Sequence, residues 1–190
     1  TGSVAVGQAV ARTCAETFKP CLIEASGNDP FIVMPSAPLD IAARAQVWLH
    51  EEAPKWRDRP WALFVSFVAP HFPLTAPPAW FYRYWRQDLP MPKLYAKELR
   101  PHHPYLEDYA HTVDYDAHFE SEADVKRAIA GYAGLVSAMD ENVGLVLRAL
   151  ESAGLSASTR VVYTSDHGDN LGARGLWGKS TLYEESAGIP

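Results

Sequence analysis

Two apolar runs, each stopping at a histidine, set the limits on how this chain can fold. Trp61-Ala62-Leu63-Phe64-Val65-Ser66-Phe67-Val68 is almost wholly apolar and rich in aromatic and β-branched residues, and it ends at Ala69-Pro70-His71. Such a run predicts a strand covered on both faces, as in a parallel sheet. Val161-Val162-Tyr163-Thr164-Ser165 predicts a second buried strand, which delivers Asp166-His167-Gly168-Asp169 to its C-terminal end. Between the runs, Ser121 with Asp124 resembles a capping box. Val125, Ile129, Tyr132, Val136, Met139, Val143, Val146, Leu147 and Leu150 then mark one stripe of a long helix, and Gly154 supplies its stop. An earlier amphipathic helix opens at Pro38 and Asp40, carries Ile41, Ala45, Trp48 and Leu49 at helical spacing, and closes at Pro54. Helix, strand, long connection, helix, strand is the order of a right-handed βαβ crossover. The expected fold class is α/β, a mostly parallel sheet with flanking helices.

The remaining segments are less regular. Residues 1–37 contain an alternating Val4 and Val6, a Gly27-Asn28-Asp29-Pro30 turn and a short apolar run from Phe31 to Met34. Residues 70–120 hold most of the prolines and five of the seven histidines without a sustained period, which predicts a long surface excursion. Within it, Trp80-Phe81-Tyr82-Arg83-Tyr84-Trp85 is either packed as core or lid or turned toward a partner. A net charge of −6 gives no general attraction to nucleic acid or anionic lipid, so neither is expected as a partner, and any bound anion needs a focused site. No stretch approaches a membrane span, and the first thirty residues lack the order of a signal peptide. A soluble protein, cytoplasmic or periplasmic, is expected. Cys14 and Cys21 have no zinc-finger partners and either pair or stay free, so the compartment is not legible from them.

Three features carry candidate chemistry. Asp166 and His167 offer a hard oxygen and a borderline nitrogen to a divalent cation; the competing reading is a turn cap. Lys179, between Gly178 and Ser180, presents an ammonium to an oxyanion or sits as a solvated surface lysine. His71 donates to the same anion, protonates a leaving group, or is bonded within its proline-rich turn. In a parallel sheet both strands end at one edge, the edge at which ligands bind, which brings His71, Asp166, His167 and Lys179 into one neighbourhood.

These residues stand in four blocks: Ala69-Pro70-His71-Phe72-Pro73-Leu74, Tyr132-Ala133-Gly134-Leu135-Val136-Ser137-Ala138-Met139-Asp140, Thr164-Ser165-Asp166-His167-Gly168-Asp169, and Gly178-Lys179-Ser180-Thr181 with Tyr183-Glu184. In that order they resemble the sulfatase family of the alkaline phosphatase superfamily, near its choline-sulfatase and phosphonate monoester hydrolase branch. The resemblance covers residues 38–190 and leaves 1–37 as a poorly matched lead-in, so one partial, alkaline phosphatase-like domain is expected. It implies that Asp166 and His167 ligate a divalent metal, calcium first and manganese or magnesium as alternatives. It also implies that His71 and Lys179 contact the sulfate or phosphate group.

The family's Cys-x-Pro-x-Arg block, whose cysteine becomes formylglycine in sulfatases, is not in this sequence. Its upstream Asp-Asp pair and Gly-Lys-x-His block are absent too, so an internal fragment is expected, inactive alone and with the nucleophile upstream. The implied activity of the whole protein is metal-dependent hydrolysis of a small-molecule sulfate ester, with a phosphonate or phosphate ester as the alternative. A non-catalytic binding or assembly module is the alternative of another class. Strands without neighbours would leave apolar surface uncovered, so self-association, or contact with missing parts of the chain, is expected.

Overall fold

A computed structural model describes residue 12, residues 37–56 and residues 58–188. Cys14, Cys21, the turn at residues 27–30 and the run from Phe31 to Met34 lie outside the described residues. The chain divides between Ala37 and Pro38 into two compact units, the second of which is Pro38–Pro190.

That second unit is organised by one long helix. Helix α1, Ala37–Val47, continues as a π turn over Trp48–Glu52 and a 3-10 turn over Ala53–Trp56. Pro54 thus closes the wider helix by tightening it and stands inside the final turn. Helices α2 (Pro78–Trp85), α3 (Pro104–Thr112) and the long α4 (Glu122–Ser152) come next, and the short α5 (Glu184–Ala187) ends the described chain. No helix among the described residues is long and apolar enough to cross a membrane.

Both ends of α4 are fixed by local chemistry. The Ser121 hydroxyl accepts from the Asp124 amide at 3.3 Å and donates to the Asp124 carboxylate at 2.8 Å, satisfying an otherwise orphaned helix donor. At the other end Gly154 adopts φ +70°, its amide reaches the Glu151 carbonyl at 2.9 Å, and the Leu155 amide reaches the Leu150 carbonyl at 3.1 Å. This is the Schellman arrangement, with the apolar pair Leu150 and Leu155 buried beside it. Around that pair lies the core, where Leu49 and Ala53 meet Ala149, Leu150 and Leu155, with Trp48, Trp61, Leu63 and Val146 packed against them. Trp48 and Trp61 meet edge to face at 5.1 Å.

Three expectations need adjusting. The buried face of α4 is only partly the stripe of large apolar residues: Val125 and Leu150 are buried, but Val136 and Leu147 are exposed, and Ala130, Gly131, Gly134 and Ala138 are buried as well. A side chain at Gly131 would run into the Leu74 carbonyl, and one at Gly134 would approach the Ala76 methyl to 2.7 Å, so these glycines admit the 74–81 segment and α2. At these positions close approach, rather than side-chain bulk, sets the buried face. Next, the surface excursion of residues 70–120 carries regular elements. It holds α2 and α3, each begun by a proline at its first turn, where the missing amide hydrogen costs nothing. The aromatic cluster of α2 lies on α4, joined by Tyr84 and Ser137 hydroxyls 2.6 Å apart.

Finally, no strand ladder forms among the described residues. Residues 61–68 are irregular in their bonding but alternate in burial, with Trp61, Leu63, Val65 and Phe67 half-buried and Ala62, Phe64, Ser66 and Val68 exposed. Phe64 is 82% exposed, so one face is covered where two were expected. Val161, Val162 and Tyr163 are exposed as well. Period-two burial is what a strand imposes, but a ladder also needs a partner backbone, and none of the described segments supplies one.

Candidate functional site

Asp166 and His167 follow the second apolar run. One carboxylate oxygen of Asp166, Oδ1, accepts from the His167 amide at 3.0 Å, and the Ser165 hydroxyl donates to the His167 carbonyl at 2.8 Å. The imidazole is oriented by Nδ1, which lies 2.8 Å from the Gly168 carbonyl. A carbonyl only accepts, so Nδ1 carries a proton, and in the neutral ring Nε2 then presents its lone pair. Nε2 is shielded from solvent and makes no hydrogen bond, although Asp166 Oδ2 lies 3.2 Å away. The two contacts are compatible: the distance satisfies an ion pair, but with Nδ1 as donor two acceptor atoms face each other. Such a pair is unfavourable until a proton or cation lies between them.

The two donor types, a hard oxygen and a borderline nitrogen, are ones that a divalent ion accepts. A carboxylate oxygen and a neutral imidazole nitrogen converge, and the opposite ring nitrogen is fixed by a backbone carbonyl, as in metal-binding histidines generally. Among the described residues no group of three or more His, Cys, Asp or Glu side chains converges, so two donors are present where a calcium ion takes six to eight.

The lysine loop is built by the side chains of Asp169, Asn170 and Thr181. Asp169 Oδ1 accepts from the Leu171 amide at 2.8 Å and the Gly178 amide at 3.0 Å. Asn170, only 1% exposed, donates to the Gly178 carbonyl from its side chain at 2.7 Å and from its amide at 2.8 Å. Its Oδ1 accepts from the Thr181 hydroxyl at 3.0 Å. Gly178 itself sits at φ +72°, where any side chain would be strained. Lys179 is exposed, and among the described residues no ion pair or hydrogen bond engages its ammonium.

Ser186 ties the two loops together. Its hydroxyl donates to the carbonyls of Lys179 at 2.7 Å and Thr181 at 3.0 Å, while its own carbonyl accepts from the Gly168 amide at 2.9 Å. Gly168 has no room for a side chain, which would meet the Glu185 carbonyl. Glu185 in turn accepts from the buried Arg174 at 3.0 Å and pairs with Lys93 at 3.4 Å. The Arg174 hydrogen bond holds the Glu185 carboxyl below the usual carboxylate range, opposed by a smaller desolvation effect. Arg174 also lies 3.7 Å over the Tyr183 ring, so α5 is pinned from both sides.

Asp166, His167 and Lys179 therefore share one framework. His71 does not join it directly. Its amide reaches the Val68 carbonyl at 3.0 Å, its Nδ1 lies 2.9 Å from the Phe72 carbonyl, and its ring packs on Phe72. Among the described residues no hydrogen bond, ion pair or ring contact joins it to Asp166, His167 or Lys179. Of the supporting residues, Asp169 and Thr181 stand inside recognisable blocks. Asn170, Ser186 and Arg174 left no signal, because a side chain that bonds a distant carbonyl has no characteristic spacing.

Residues 40–190 match the family model described as Sulfatase. The choline-sulfatase of Rhizobium meliloti (strain 1021) is 34% identical over 132 residues, 70% of this chain and 26% of that protein. Among solved structures, the phosphonate monoester hydrolase SpPMH from Silicibacter pomeroyi superposes with a TM-score of 0.62 at 25% identity, covering 78% of this chain and 31% of that one. This likeness gives the alkaline phosphatase-like fold. The chain thus spans between a quarter and a third of the length of these relatives. Its first segment has a different likeness: residues 1–50 match the model of the aldehyde dehydrogenase family. Over 47 residues the chain is 51% identical to the succinate-semialdehyde dehydrogenase [NADP(+)] of Mycobacterium avium (strain 104), 10% of that enzyme.

Proposed function

From its membership of the sulfatase family over residues 40–190, we propose that this chain carries the half of a hydrolase site that holds a divalent cation and the anionic group of a sulfate ester. The observation that carries the reading is the double use of Ser186, which fixes the Asp166–His167 loop and the Lys179 loop to one residue. Asp166 Oδ2 and His167 Nε2 are the metal ligands. Lys179 supplies a fixed positive charge to the ester oxygens, and His71 donates a hydrogen bond or a proton to them or to the leaving alcohol. A calcium ion, or manganese or magnesium in its place, would act as a Lewis acid when bound.

The nucleophile and the remaining ligands come from outside these residues. The extended segment at 61–68, with Phe64 uncovered, is where further chain or a second copy adds. A phosphonate or phosphate ester is the second reading, favoured by the likeness to the phosphonate monoester hydrolase. Histidine, lysine and a divalent ion serve either tetrahedral anion.

The test is a titration of ¹⁵N-labelled protein with sulfate and with methylphosphonate, in calcium. Shifts concentrated at residues 71–73, 166–168 and 178–180 are expected, with the tighter anion naming the ester class. Shifts spread over the surface, or unchanged in Lys179→Ala, refute the reading.

A further inference from the structure

The backbone from Gly178 to Thr181 is held to an unusual degree. All four of its carbonyls accept a hydrogen bond from a side chain: Gly178 from Asn170, Lys179 and Thr181 from Ser186, and Ser180 from the Tyr105 hydroxyl at 2.7 Å. Three of these bonds come from nearby sequence. The fourth comes from the excursion, 75 residues away. A lysine serving only solubility needs no such framework, because a solvated ammonium tolerates any backbone position.

Tyr105 is itself built into place. Pro104 begins α3, and the ring nitrogen Nδ1 of His103 accepts from the Tyr105 amide at 3.2 Å, capping the helix. One turn on, the Tyr109 ring lies parallel to that of Tyr105 within 4°. The Tyr109 hydroxyl is 3.2 Å from that of Tyr115, and the Tyr115 oxygen stands 3.8 Å from the position a side chain on Gly178 would take. The three tyrosines reach both ends of the Gly178-Lys179-Ser180 turn. Burial first, then the Tyr109 bond and the Asp169 charge, keeps the Tyr115 phenol protonated well above its ordinary range, so it remains a neutral partner.

We propose that Tyr105 is a positioning residue for Lys179, fastening the lysine loop to α3 through the Ser180 carbonyl. Tyr105 is 53% exposed, so the bond is not a by-product of burial. A lysine whose backbone is held before its anion arrives loses less freedom on binding than one on a free loop. The excursion therefore sets the readiness of the anion site. This inference rests on the reading that Lys179 meets the anion.

The test compares wild type, Tyr105→Phe and Lys179→Ala by ¹⁵N relaxation, thermal unfolding and sulfate titration in calcium. In Tyr105→Phe the order parameters of residues 179–181 fall, Tm moves little, and sulfate binds about fivefold more weakly, the scale of one neutral hydrogen bond. Unchanged order at residues 179–181 overturns the proposal. So does a fall in Tm with sulfate affinity intact, which marks a structural bond only. If the wild type shows no sulfate response at 178–181, the anion reading itself fails and the positioning role goes with it, even where the order parameters fall.

Discussion

Replacing Asn170 with alanine probes the framework of the lysine loop at its most buried point. The side chain is 1% exposed and serves two partners, donating to the Gly178 carbonyl and accepting from the Thr181 hydroxyl. Gly178 keeps a partner, because the amide of residue 170 still donates to it at 2.8 Å. Losing the side-chain bond to Gly178 is therefore an ordinary deletion, worth about 1 kcal/mol. Thr181 fares worse: the residue is 9% exposed and its hydroxyl loses its acceptor, and an unsatisfied buried donor costs about 1–3 kcal/mol. The expected sum is about 2–4 kcal/mol, which for a chain of this size lowers Tm by roughly 9 °C at the centre of that range. Urea denaturation followed by circular dichroism measures it.

Asn170→Asp sharpens the test. It turns the former donor into an oxygen facing the Gly178 carbonyl and buries a charge, so at neutral pH it is at least as damaging as alanine. Acidification relieves part of that loss, because the protonated carboxyl again donates. A change within about 0.5 kcal/mol for Asn170→Ala, the range of an indifferent surface substitution, would refute the framework as described.

Three further outcomes are expected. Glu185 is held below the usual carboxylate range by Arg174, so its pairing contributes stability that is fully present above the ordinary glutamate pKa and is lost as pH falls through the lower folded value. Denaturation midpoints measured from neutral pH into the acid range fall for wild type, and less steeply for Glu185→Gln. Gly154→Ala, in open space but at φ +70°, costs about 1 kcal/mol through backbone strain alone, read in the same unfolding assay. Gly131→Ala destabilises by about 1–3 kcal/mol although alanine is the better helix former, because the added methyl meets the Leu74 carbonyl.

Features that depend on near neighbours were the ones legible in the sequence. Ser121 and Gly154 mark the ends of α4 because capping is chemistry between residues a few positions apart. The starts of α2 and α3 were also written, in Pro78 and Pro104, but the proline density around them reads as loop. Only part of the burying face of α4, Val125 and Leu150, is legible, because a period of large side chains ignores how closely a glycine lets another backbone approach. Of the site, the four chemical residues stood in recognisable blocks, whereas Asn170, Ser186 and Tyr105 act on carbonyls far along the chain. A sheet is legible only as its strands, since its ladder belongs to pairs of segments.

The proposal that Asp166 Oδ2 and His167 Nε2 ligate a divalent ion is tested most directly by paramagnetic broadening. Substoichiometric manganese is added to ¹⁵N-labelled protein, and the amide signals and histidine ring signals are followed. Selective loss of the His167 ring signal and of amides 165–169, reversed by excess calcium and abolished in Asp166→Asn, is the expected result. Broadening scattered over surface carboxylates, or unchanged in Asp166→Asn, would contradict it.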